Sequence, residues 1–100
     1  MKRYAGSRTI DGIRVTCDGA PLDERYDLKR YTNAWLEWGY EGDAPSQLAL
    51  ALLADHTGDD GRALALAEPF MRAVVAELDN DWELTGGEIG EALQRLEKGV

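Results

Sequence analysis

Two residues of this chain could support nucleophilic catalysis: Cys17 and His56, each the only one of its kind. A thiol attacks well only when a base or positive charge makes it a thiolate, so a thiol enzyme would need His56 beside Cys17 in space. No local signature accompanies either residue. Taken singly, Cys17 reads as a small buried hydrophobe, and His56 as the end of a helix, where the dipole favours an imidazolium. The stretch Asp55-His56-Thr57-Gly58-Asp59-Asp60-Gly61 has the acids of a calcium loop but not its spacing. Counted from Asp55, Asp60 takes the place of the required glycine and Leu66 that of the bidentate glutamate. Counted from His56, Gly61 fits, but the first ligand is lost and Ala67 stands twelfth. Phosphate-loop lysine, dinucleotide glycine and zinc spacings do not occur, so the chain is expected to have no catalytic constellation, no metal and no cofactor.

Chemistry of recognition is better represented. Glu77, Asp79, Asp81 and Glu83 place four carboxylates around Trp82, and their spacing could imitate a phosphate backbone before a nucleic-acid-binding protein. Trp35, Trp38, Tyr40 and Tyr31 form an aromatic group. Its ordinary role is a wall between sheet and helix, and Tyr31 is the member expected at the surface. Glu77, Asp79, Asp81, Glu83 and Tyr31 are therefore the candidate partner-binding residues.

The elements that must hold these residues change period once. Ile13, Val15 and Cys17 alternate with Arg14, Thr16 and Asp18, as in a half-buried strand. Asp18-Gly19 turns into a short return limb, Ala20-Pro21-Leu22. Lys2 to Ala5 adds an edge strand, residues 23–33 read as loop, and Ala34 to Trp38 as another short strand. From residue 43 the pattern is helical. Asp43 or Ser46 caps a helix from Pro45 to His56 that is apolar nearly all round, with Thr57-Gly58 ending it. Asp59 or Asp60 caps a second helix, with Leu64, Ala67, Phe70 or Met71, Val74, Val75 and Leu78 on one stripe, and Pro69 is expected to kink or divide it. The carboxylates from Glu77 to Glu83 then lie on an inter-helix turn. Thr85-x-x-Glu88 is a capping box for a third helix carrying Ile89, Leu93 and Leu96, with a Glu91–Arg95 pair on the far face. The fold class is α+β: a small antiparallel sheet of two to four strands from the N-terminal half, packed against three or four C-terminal helices. Ile13, Val15, Trp38, Leu48, Leu52, Phe70, Val74 and Leu93 should share its core.

With 100 residues, 44% of them hydrophobic and 30% charged, the chain is expected to be one globular domain over residues 1–100 rather than a disordered segment. One cysteine permits no internal disulfide, which points to a reducing compartment. The N-terminus lacks an apolar signal stretch, and the longest apolar run, Leu48 to Ala54, is too short to span a bilayer, so a soluble cytoplasmic protein is expected. Charge is divided unevenly. Residues 1–30 carry seven basic and five acidic groups, net +2, and residues 31–100 four basic and fourteen acidic, net −10. That anionic body repels free nucleic acid and attracts a cationic surface.

Tyr4-x-Gly6-x-Arg8, Trp38-Gly39-Tyr40-x-Gly42-x-x-Pro45-x-Gln47-Leu48-Ala49-Leu50-Ala51-Leu52-Leu53, Phe70 and Trp82-x-Leu84-Thr85 together resemble an uncharacterised family of short bacterial, plasmid and phage proteins. The resemblance covers nearly the whole chain, and Ala44 stands where the family has another glycine. Occurrence on mobile elements implies a role in conflict between such elements and their hosts. The expected function is a non-catalytic module that inhibits a nucleic-acid-binding defence complex, of CRISPR or restriction type, by occluding its basic surface. The partner is then a protein with a basic, nucleic-acid-binding surface, with no direct nucleic acid and no membrane. The alternatives are a small-ligand or structural accessory module using the aromatic wall, and a minor enzyme built on Cys17 and His56.

Overall fold

The computed structural model describes residues 2–98. Strand β1 (Arg3–Thr9) and strand β2 (Gly12–Cys17) form a hairpin, and Asp18-Gly19 turns β2 into the two-residue β3 (Ala20–Pro21). Asp18 and Gly19 both have positive φ, 51° and 86°. Two successive left-handed residues match the twist of a two-residue hairpin, and Asp-Gly adopts them at little steric penalty. Helix α1 (Asp43–Thr57) and helix α2 (Asp60–Ala73) follow, then a 3-10 turn at Val75–Glu77, strand β4 (Trp82–Thr85) and helix α3 (Gly86–Lys98).

The result is the expected α+β architecture, four antiparallel strands with three helices, in strand order β3-β2-β1-β4. Two expectations about the strands change. The segment expected at an edge is central, because β4 arrives from beyond α2 and pairs with it, Tyr4 opposite Leu84 and Gly6 opposite Trp82. The stretch from Ala34 to Trp38 is not a strand; it is irregular, with Leu36 and Trp38 buried and Trp35 exposed.

Helix α1 is the centre of the core. Eleven consecutive residues, Ala44 to Ala54, are buried, which is why its sequence is apolar on every side rather than along one stripe. It begins two residues before Pro45, and neither Asp43 nor Ser46 caps it. Gly42 is the N-cap, its carbonyl accepts the Ser46 N–H at 3.0 Å, and Ser46 is buried inside the first turn. At the far end Gly58 donates its N–H to the Ala54 carbonyl.

Of the two candidates Asp59 and Asp60, Asp59 caps α2, accepting the Arg62 N–H at 3.0 Å. Pro69 does not divide the helix. A proline there denies the Ala65 carbonyl its partner, and Ala65 is exposed, so water can supply the missing bond. Ala63, Ala67, Phe70, Met71 and Val75 are buried, while Leu64 faces solvent. The capping box of α3 forms in both directions: Glu88 Oε1 accepts the Thr85 N–H at 2.9 Å, and Thr85 Oγ1 accepts the Glu88 N–H at 3.1 Å. Of the expected core, Trp38, Leu48, Leu52, Phe70 and Leu93 are buried, and Ile13, Val15 and Val74 pack half-buried at its margin.

Candidate functional site

Strand alternation gives the sheet two unlike faces. Tyr4, Gly6 and Arg8 of β1 point toward the helices together with Ile13, Val15, Cys17, Trp82 and Leu84, their register partners. The middle position must be glycine. A Cβ on Gly6 would lie 2.3 Å from Trp82 Nε1, so the missing side chain is the space that the indole fills. Trp82 then meets Trp38 edge to face, centroids 5.7 Å apart.

Arg8 ties this aromatic pair to two loops. One Nη donates to the Glu37 carboxylate and to the Trp38 carbonyl, both at 2.7 Å, the other to Asn80 Oδ1 at 2.8 Å, and the guanidinium lies 4.4 Å from the Trp38 ring centroid. Trp38 Nε1 donates to the Asp79 carbonyl at 2.7 Å. The segment carrying the acidic residues is therefore fixed from beneath.

That segment is not a simple turn. Glu77 ends the 3-10 turn, Asp79 lies in the connection, Asp81 precedes β4, and Glu83 is within it. All four are exposed. Trp82 and Leu84 face inward, so Glu83 faces out, opposite Ala5, where Arg3 Nη1 lies 3.4 Å from its carboxylate. The Asp81 carboxylate accepts the Arg8 N–H at 3.4 Å. Glu77, Asp79 and Asp81 make no ion pair among the described residues. Glu41, in the loop before α1, and Asp43, the first residue of α1, are both exposed, and that loop is tied to the 3-10 turn by the Gly39 N–H on the Val75 carbonyl at 3.0 Å. Glu77, Asp79, Asp81 and Glu83 thus make an acidic strip along one segment of the chain.

Tyr31 is not the exposed aromatic. It is half-buried against the core, Lys29 Nζ lies 4.6 Å from its ring centroid, and burial followed by the nearby Glu68 charge pushes its phenol up. The aromatics at the surface are Trp35 and Tyr40, 70% and 50% exposed. Gln47, wholly buried on α1, arranges the loop between them and β3: its Oε1 accepts the Tyr31 N–H at 2.7 Å, and its Nε2 donates to the carbonyls of Glu24 and Lys29 at 2.7 and 3.0 Å. Every polar atom of that amide is engaged, as a buried amide requires.

Cys17 and His56 are not joined as nucleophile and base. The Cys17 thiol is 3.4 Å from Asp55 Oδ2, which also accepts from Tyr4 Oη at 2.6 Å and Lys2 Nζ at 3.2 Å. Burial works against the Asp55 charge, but the bonds from Tyr4, Lys2 and Cys17 outweigh it and hold the carboxyl below its ordinary value. Burial, then the Asp55 carboxylate, pushes the thiol up, away from a reactive thiolate. His56 is pushed down by burial and by Arg62, against the charged form expected at a helix end. No group of three or more His, Cys, Asp or Glu among the described residues is arranged to hold a metal ion. No helix among them is long and apolar enough to cross a membrane.

The model of a family of unknown function, DUF6166, matches residues 4–95, and the chain belongs to that family. No curated protein and no solved structure gives a match.

Proposed function

We propose that this member of a family without known function is a small acidic, non-catalytic protein-binding module that occludes a basic, nucleic-acid-binding surface on a protein partner. The observation that carries this reading is the placement of Glu77, Asp79 and Asp81: exposed, free of ion pairs among the described residues, and held on a segment bonded to Trp38 and Arg8. Charges on a pre-ordered support lose little freedom on docking, and with a net charge of −8 they draw a cationic partner into rapid encounter. Glu41 and Asp43 add exposed negative charge, while the ion pair with Arg3 leaves Glu83 the weakest member of the strip. The Cys17 and His56 environments support no competing catalytic role. Resemblance to plasmid and phage proteins makes the partner, in this proposal, a host defence complex of CRISPR or restriction type.

The test is capture of the partner from a host lysate, followed by binding measurements across a salt series with native protein and with D79K/D81K/E83K. Association should slow with salt and slow further, by about tenfold or more, in the variant, while its unfolding midpoint stays native. Salt-independent affinity, or native association by the variant, would show that the strip is only a solvated surface.

A further inference from the structure

A groove of about 210 Å³ opens between the β2–β3 edge and the Trp35 loop. Val15, Leu22 and Leu36 give it an apolar floor, Trp35 stands as an exposed wall, and Glu24 and Arg14 supply its charges. The two charges are not equivalent. Arg14 alternates with Ile13 and Val15 and lies opposite Ser7, so its side chain belongs to the outer face of the sheet and meets the groove only at the rim. Glu24 is half-buried, its backbone carbonyl is held by Gln47, and its carboxylate has neither an ion pair nor a hydrogen bond among the described residues.

The size of the groove is itself informative. It lies below the roughly 300–1,000 Å³ of small-molecule sites and leaves room for one long side chain. An occupant that suits apolar floor, indole face and unpaired carboxylate has an aliphatic stem and a cationic, planar head. Arginine has both. Its stem buries readily, and its guanidinium stacks on indole while donating to a carboxylate.

We propose that this groove receives an arginine side chain of the partner, with the guanidinium between the Trp35 indole and the Glu24 carboxylate. The inference rests on the reading that the partner is basic and adds an anchor outside the acidic strip. Charge complementarity selects the occupant: a lysine head lacks the planar stack, and an acidic side chain would meet Glu24.

N-acetyl-arginine amide titrated into the isotope-labelled protein tests it, with shifts of the Val15, Leu22 and Leu36 amides as the readout. Those shifts should saturate, weaken by about tenfold in Glu24→Gln through loss of a charge-assisted bond, and weaken again in Trp35→Leu. Both residues border solvent, and unchanged spectra elsewhere would confirm that the variants are folded. The D79K/D81K/E83K protein should titrate as native does, which separates a failure of this site from a failure of the strip. Shifts that do not saturate, an unaltered response in Glu24→Gln, or tighter binding of N-acetyl-glutamate amide would overturn the proposal.

Discussion

The two faces of the sheet use similar residues to opposite ends. On the inner face Arg8 makes three side-chain hydrogen bonds and lies over an indole; on the outer face Arg14, on the neighbouring strand, makes no ion pair among the described residues. Gly6 faces in and Ala5 faces out, and the space beside Gly6 is filled by the Trp82 indole. Inner residues are fixed by several contacts each, whereas the outer face carries little beyond the exposed Arg3–Glu83 ion pair. The chain thus concentrates its specificity of folding in alternate positions of β1 and leaves the others free for display.

The largest test of this contrast is Gly6→Ala. The added methyl would stand 2.3 Å from the Trp82 indole, so either the ring leaves its place against Trp38 or β1 and β4 separate. We expect destabilisation of about 3 kcal/mol, the upper end of the usual overpacking range, together with loss of the near-ultraviolet circular dichroism of the tryptophan pair. Native stability in this variant would break the comparison.

Tyr4→Phe addresses the other end of the same face and should have a smaller effect. Removal of the phenol deprives Asp55 of its 2.6 Å donor but leaves Lys2 and partial solvent access, so about 1.5 kcal/mol is expected near neutral pH, the low end for a hydrogen bond to a charged group. The folded Asp55 carboxyl is depressed below its ordinary value of 3.8. Its contribution is therefore complete above that value and lost as pH falls through the folded one. Urea unfolding as a function of pH should show the gap between native and Tyr4→Phe proteins closing in acid; a gap constant to about pH 2 would mean that Asp55 is not its source.

The smallest effect belongs to the outer face. Arg14→Ala should change the unfolding free energy by no more than about 0.5 kcal/mol, as exposed substitutions without partners do. A loss comparable to that of Gly6→Ala would mean that the outer face is also built into the fold.

Local chemistry was legible in the sequence at several turns and caps, though not at the start of α1, where Gly42 rather than Asp43 or Ser46 is the N-cap. Asp18-Gly19 makes the turn because both residues tolerate positive φ, Asp59 caps α2, and the reciprocal Thr85 and Glu88 bonds open α3. The apolar run from Leu48 to Ala54 likewise announced a helix surrounded on all sides. Composition, equally, carried the net −8 and its concentration beyond residue 30.

Contacts distant in sequence were decided by the tertiary structure. The period-two pattern of Trp82 to Thr85 is too short to distinguish a strand from a turn, and only pairing with β1 makes it one. Exposure of the aromatics follows the same rule: Tyr31 is drawn in by the buried Gln47 and Trp35 is left out by the absence of a strand there, neither of which is a property of its own neighbourhood. Arg8, Glu37, Trp38 and Asn80 became one cluster only on folding, as did Glu24 and Trp35 at the groove. Short-range order depends on backbone preferences that each residue carries with it, whereas a site depends on which distant surfaces are buried against each other, and that is settled by the packing of the whole chain.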